Sequence, residues 1–183
     1  LGVEWTMRGA FAAVLLLAAC DRPPQPSPPE PKPETSQDAA SDYLLDLADV
    51  HLKHNRLDEA MKLTLDVLGT SKENSILSRA HYGAYRVHLG RGELRPATAS
   101  LQASMALMSP EGLAETRFKL SALYSDLNDL PAASEAVEVL LRDPKTPRET
   151  RQRIYRHLYQ IHQKAKDVKG LAEKAKEMAI DLA

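Results

Sequence analysis

The sequence predicts an all-α protein of about eight helices arranged in antiparallel pairs. Alanine, leucine, glutamate, lysine and arginine dominate the composition, and these residues lose little side-chain freedom in a helix. No segment alternates valine, isoleucine or threonine with polar residues over the length of a strand. A short motif recurs at spacings of 36 to 37 residues, which indicates a repeated helix–turn–helix unit.

The N-terminal segment has the character of a signal peptide. Met7 and Arg8 precede an apolar run over residues 10–19, which is too short to span a bilayer. The run ends in Leu17-Ala18-Ala19-Cys20, which resembles the lipobox of bacterial lipoproteins. The resemblance implies cleavage after Ala19 and acylation of Cys20, the chain's single cysteine. An ordinary secretory signal with a cysteine there by chance is the alternative.

The same resemblance implies a location in the bacterial cell envelope. A protein acylated at Cys20 would be held by its lipid anchor on the extracytoplasmic side of a membrane, because two or more acyl chains bind a bilayer firmly. Asp21 follows the cysteine directly and resembles a signal for retention in the inner membrane. The choice between inner and outer membrane stays open, since that rule varies among bacteria.

A proline-rich tether is predicted between the anchor and the helices. Seven prolines lie between Pro23 and Pro33. Proline has a fixed φ and no amide donor, so this stretch should extend as polyproline II over roughly 35 Å. The predicted organisation is a removed signal segment at 1–19, a disordered tether at 20–39 and a helical domain at 40–183. A proline-rich ligand for a partner's aromatic groove is the alternative function of the tether.

The helical domain is predicted to contain repeated units at about 41–74, 75–110 and 111–145, followed by an atypical unit at 146–183. Each of the first three has a turn residue that tolerates left-handed backbone, followed five residues later by an alanine. The turn residues are Asn55, Gly92 and Asn128, the alanines are Ala60, Ala97 and Ala133, and a small residue lies in the first helix at Ala48 and Ser121. This pattern resembles the tetratricopeptide repeat, which implies a right-handed α-solenoid.

Two positions depart from that pattern. Tyr85 occupies the place of the small residue in the second unit, and the fourth unit has no clear turn residue. An atypical last pair with a polar outer face is what a solenoid needs as a cap. Periodicity and boundary signals such as Thr146-Pro147-Arg148-Glu149 predict the helix bounds. The eight predicted helices are 40–54, 57–69, 75–89, 94–108, 111–127, 131–142, 147–164 and 168–182.

No catalytic or cofactor motif stands out, and we expect no enzyme activity, no cofactor and no bound metal. His51 and His54 have a spacing that can share a metal, but no third ligand is evident. The net charge of −1 gives no reason to expect a nucleic-acid partner. Residues 20–144 carry a net charge of −6, however, and residues 145–183 carry +5.

The predicted function is a membrane-tethered adaptor or scaffold that binds an envelope protein or peptide. In the tetratricopeptide family the first helices line a groove, and projecting that pattern places Tyr82, Arg86, Phe118 and Asp49 there as candidate partner-binding residues. The alternative is that these side chains pack between units. Two other functions stay open: assembly of a pilus or secretion machine, and binding of anionic lipid or wall polymer through the basic C-terminal helices.

Overall fold

The computed structural model describes residues 36–183, with side chains from residue 37 onward. This part of the chain is all-α, with eight α-helices and no strand, which confirms the predicted fold class. The signal segment, Cys20 and most of the predicted tether lie outside the described residues. The helices are α1 (Ser36–Lys53), α2 (Leu57–Thr70), α3 (Asn74–Gly90), α4 (Leu94–Leu107), α5 (Pro110–Asp126), α6 (Leu130–Glu138), α7 (Arg148–Lys164) and α8 (Val168–Asp181).

Helix α1 begins four residues before the predicted start at residue 40. The last proline of the tether is Pro33, so nothing in the sequence prevents a helix from Ser36 onward. Asp38 places a negative charge in the first turn, where the helix dipole favours it. The Gln37 side chain also donates a 2.8 Å hydrogen bond to the carbonyl of Thr70 at the end of α2. The first turn of α1 is therefore attached to its partner helix.

Helix α6 is shorter than predicted, because its last turn is a 3₁₀ turn over Val139–Arg142. Side chains donate hydrogen bonds to the backbone carbonyls that a further turn of α-helix would use. The Thr146 hydroxyl donates to the Leu140 carbonyl at 2.6 Å, and the Arg151 guanidinium donates to the Leu141 carbonyl at 3.2 Å. Asp143 is extended and Pro144 follows it, which excludes further helix.

All four helix pairs are closed by the same turn. One residue of each turn has a left-handed backbone: Asn55 (φ 56°), Gly92 (φ 73°), Asn128 (φ 61°) and Lys166 (φ 56°). The next amide donates to the carbonyl five residues before it, at 2.8 to 2.9 Å in every case. This 6→1 bond is the Schellman arrangement, which satisfies free carbonyls at a helix end. The fourth unit therefore has the turn that its sequence did not reveal.

The pairs pack on one another in chain order. The second helix of each pair contacts the first helix of the next, at α2–α3, α4–α5 and α6–α7, and α1 also contacts α3. The three repeated alanines Ala60, Ala97 and Ala133 are fully buried where the helices approach closely. The right-handed solenoid form of the stack stays a prediction.

The core has three apolar clusters, centred on Leu45–Val67–Ile76–Ala80, Tyr85–Leu101–Leu120–Leu123 and Phe118–Val137–Ile154–Leu158.

Tyr85, which departs from the repeat pattern, is part of the middle cluster. Its ring is buried with Ala97 and Ala136, whose small side chains leave room for it. Burial raises the pKa of its hydroxyl above the usual value of 10.0. The second unit thus accommodates a large residue by using small ones opposite it. In the described part of the chain, no helix is both long and apolar enough to cross a membrane.

Candidate partner-binding face on the first helices

The exposed side of α3, α5 and α7 forms a surface that we call the first-helix face. It contains two adjoining clefts of about 380 and 400 Å³. Glu115 and Lys119 line both clefts, so the two adjoin at α5. The first cleft also includes Ser75, Arg79, Tyr82 and Met108, and the second also includes Phe118, Ala122, Arg153, Arg156, His157 and Gln160.

Ion pairs join α1 to α3 and α5 to α7 along this side of the molecule, and the Lys119–Tyr82 hydrogen bond joins α3 to α5. Arg79 contacts Asp42 at 3.1 Å and also pairs with Asp46. Two guanidinium nitrogens of Arg153 contact the Glu115 carboxylate at 2.7 and 3.0 Å. The hydrogen bond from Arg153 lowers the pKa of Glu115 below its usual 4.5. Each exposed pair contributes little to stability alone, and the pairs orient α1 relative to α3 and α5 relative to α7.

The charges on this side alternate in sign when the units are aligned on their left-handed residues. The residue thirteen positions before the left-handed residue is Asp42, Arg79, Glu115 and Arg153 in successive units. Successive units therefore have opposite charges at this position, and two of the three junctions form an ion pair there. This periodicity follows from the repeat register and is not evident without it.

Phe118, predicted as a candidate partner-binding residue, is only 7% exposed, which favours the alternative that it packs between units; its role in partner binding stays a prediction. The ring packs against Val137, Ile154 and Leu158 in the third core cluster. The Arg153 guanidinium covers it at 4.1 Å from the ring centroid, and the His157 ring meets it edge-on at 5.7 Å. Its position corresponds to Leu45 of α1, ten residues before the left-handed residue, and Leu45 is also buried. The side chain joins the third and fourth units, the alternative that the sequence left open.

Arg86 and Asp49 form an ion pair with each other. Both side chains remain partly exposed, but the pair bridges α1 and α3, and each already has a partner of opposite charge. Arg86 does not line either cleft of the first-helix face. Their role in partner binding stays a prediction, which this bridge makes less attractive.

Tyr82 is half-buried in the first cleft. Its hydroxyl accepts a hydrogen bond from the Lys119 ammonium, which lies 4.8 Å from the ring centroid. Its ring also contacts that of Tyr85, with centroids 5.3 Å apart. Of the four predicted residues, Tyr82 lines the first cleft and Phe118 lines the second, and Tyr82 is the less buried of these two.

The sequence-based prediction missed the cations of the face, Lys119 and Arg153. Lys119 has no carboxylate within salt-bridge distance among residues 36–183, and neither does Arg156 at the far side of the second cleft. The signal was present in the sequence, since Lys119 follows Tyr82 by 37 residues and Arg153 follows Glu115 by 38. It becomes visible once the units are aligned on their turns.

A serine and a histidine meet under the face, but their geometry is that of a structural contact. The Ser121 hydroxyl lies 2.8 Å from His157 Nε2 and donates its proton to the Ala133 carbonyl at 2.5 Å. Nε2 must then donate to the serine, so the imidazole cannot accept the hydroxyl proton. Burial lowers the pKa of His157 below 6.5, and the positive charge of Arg153 adds to this effect. Within the described chain, no group of three potential ligands could hold a metal ion.

A comparison of the sequence with models of known protein families gives no match, and a comparison with curated proteins gives none either. The repeated turn and the first-helix face are the features from which a function can be argued.

Proposed function

We propose that this protein is a lipid-anchored adaptor of the bacterial cell envelope that binds a partner protein through the first-helix face. The observation that carries the proposal is a pair of adjoining clefts bordered by Lys119 and Arg156, two cations that have no carboxylate within salt-bridge distance in the described chain. The lipobox resemblance at Leu17–Cys20 supplies the envelope location.

The face suits binding because its backbone is already satisfied. Each first helix makes its own hydrogen bonds, so side chains on the surface are free to contact a ligand. Ion pairs between α1 and α3 and between α5 and α7, with the Lys119–Tyr82 hydrogen bond between α3 and α5, hold several of these side chains in place. A pre-ordered surface loses less conformational entropy when a partner binds.

The charge of the face favours an extended segment with carboxylates. Lys119, Arg153 and Arg156 border the second cleft, with Glu115 as the only acidic residue lining it. Ala122 and the ring of Tyr82 provide apolar contact beside these cations. Two adjoining clefts fit successive side chains of an extended acidic segment more naturally than one compact small molecule.

Basic residues of the last helix pair are less available for an anionic lipid or polymer. Arg151 is paired with Asp181, and Lys174 contacts both Glu138 and Glu177. Of these acidic partners only Glu138 lies outside residues 145–183, so the net +5, which already counts Asp181 and Glu177, is little changed and binding to an anionic lipid or polymer stays an alternative.

Two variants test the proposal in the native host. Lys119→Gln removes a charge from both clefts, and Lys62→Gln on α2 removes the same charge from an exposed site away from them. We expect cross-linked partners to be recovered at least tenfold less with Lys119→Gln, as loss of a central contact predicts, and unchanged with Lys62→Gln. Equal recovery from the two variants would reject the face as the binding site.

The anchor is tested separately with Cys20→Ser. The variant should lose lipid labelling and leave the membrane fraction, because no acyl chain can then be attached. Continued labelling would remove the lipoprotein assignment and leave the binding face untouched.

A further inference from the structure

The outer face of α1 occupies positions that are buried in every other first helix. Counted back from the left-handed residue, the positions twelve and five residues earlier face the preceding helix pair. They hold Ala80 and Val87 in α3, Thr116 and Leu123 in α5, and Ile154 and Ile161 in α7, and all six are buried. In α1 the same positions are Tyr43, which is 67% exposed, and Val50, which is 42% exposed.

In α3, the equivalent face lies in close contact with α2. Gly83 lies on it, and an added Cβ there would meet the Thr64 hydroxyl of α2 at 3.2 Å. Ala80, also on it, packs with Val67 of α2 in the first core cluster. A first helix therefore uses this face to pack on the second helix of the preceding pair.

At the other end of the stack, α8 exposes the surface on which a following first helix would pack. The positions nine and twelve residues after the left-handed residue are fully buried in the first two second helices, at Thr64, Val67, Leu101 and Ser104. In α8 they are Ala175 and Met178, which are exposed, Met178 at 39%. With Tyr155, Tyr159 and Leu182 they line an apolar cleft of about 520 Å³ between α7 and α8.

The two ends also have opposite charges. Residues 36–70 contain seven acidic and three basic residues, a net −4, whereas residues 145–183 have a net +5. At the alternating position the first unit has Asp42 and the last has Arg153, so a further first unit placed after the last would continue the alternation. Two like ends brought together would instead oppose acid with acid or base with base, which is unfavourable.

We propose that the outer face of α1 in one copy of this chain docks into the α7–α8 cleft of a second copy. The contact reproduces between molecules the packing that α3, α5 and α7 make within one. Because it joins two different surfaces, it leaves one of each free and extends into a chain of copies unless a ring closes. This assembly uses the ends of the stack and leaves Tyr82 and Lys119 of the first-helix face open, while Arg156 lines both the second cleft and the α7–α8 cleft.

The test uses one variant at each end of the full chain, purified in a nonionic detergent. Val50→Glu alters the α1 face and Met178→Glu alters the cleft. Leu65→Glu is the matched control, because Leu65 is 55% exposed on α2 and belongs neither to the outer face of α1 nor to the α7–α8 cleft. All three residues are exposed, so each variant should keep its helical circular dichroism. Tyr43→Glu and Ala175→Glu are second variants of the two ends.

Sedimentation velocity over a concentration series measures the outcome. The unmodified chain and Leu65→Glu should grow beyond a dimer as concentration rises, and should dissociate in high salt. Val50→Glu and Met178→Glu should each associate at least tenfold more weakly alone. Mixed in equal amounts they should form a dimer and nothing larger, since one intact surface of each kind remains.

Three results would overturn the proposal. The unmodified chain could stay monomeric at every concentration, which would leave the α1 face to another occupant, such as the preceding part of the chain or a partner protein. The single variants could still assemble with unmodified affinity. The mixture could fail to dimerise although both variants are folded. Lys119→Gln should assemble like the unmodified chain, so failure of the partner-binding proposal would be distinguishable.

Discussion

Replacing Phe118 with alanine should destabilise the protein strongly, in contrast to the loss of a surface anchor. Truncating a buried phenylalanine costs about 3–5 kcal/mol, and a site between two units can relax toward the lower end of that range. The ring also lies under the half-exposed Arg153 guanidinium at 4.1 Å, a contact worth roughly 0.5–1 kcal/mol. We therefore expect a loss of about 4 kcal/mol in the free energy of unfolding.

Urea denaturation followed by circular dichroism measures this change. For a chain of about 150 folded residues, it corresponds to a fall in Tm of roughly 10 °C. Leu65→Ala on the surface of α2 is the control and should change stability by less than about 0.5 kcal/mol. A loss of less than about 1 kcal/mol for Phe118→Ala would contradict the burial of this ring between the third and fourth units.

Two further predictions concern stability. Lys166→Gly should stabilise the protein by about 1 kcal/mol, because glycine adopts the left-handed backbone of this turn without strain, and an unchanged denaturation midpoint would count against the fourth turn. Since the pKa of His157 lies below its usual 6.5, the unfolded chain binds more protons, so stability should be complete above about pH 6.5 and fall as the pH is lowered through the depressed pKa. Denaturation midpoints measured between pH 5 and 7.5 should depend less on pH in His157→Gln, and identical slopes in both proteins would refute this origin.

The sequence predicted the helices well because most of their boundaries have a local chemical cause. Gly92, Asn55 and Asn128 tolerate left-handed backbone, and each marks the turn that the structure has. Lys166 has the same left-handed backbone, but lysine has no preference for that conformation, so the sequence does not indicate a turn there. The turn there is imposed by packing of α7 on α8 and by the Asp167 side chain, which accepts a 3.0 Å hydrogen bond from the Gly170 amide.

The candidate site was harder to predict because it depends on contacts between units. A pattern of residue types places Phe118 on the first helix but does not say that Ile154 and Leu158 of the next pair will cover it. The same limitation hid the partnership of Arg86 with Asp49, which lie 37 residues apart. Both contacts depend on how neighbouring helix pairs are aligned, and local helix propensity carries no information about that alignment.

A photo-reactive amino acid placed on the first-helix face tests the central claim most directly. Ala122 lies exposed in the second cleft, and Ala106 is an equally small, exposed residue on α4 outside either cleft. With the cross-linker at Ala122, irradiation of the native host should join the protein covalently to a partner protein, and the adduct should be at least tenfold weaker with the cross-linker at Ala106. Adducts of equal yield and identity at the two positions, or none at Ala122, would contradict binding through this face.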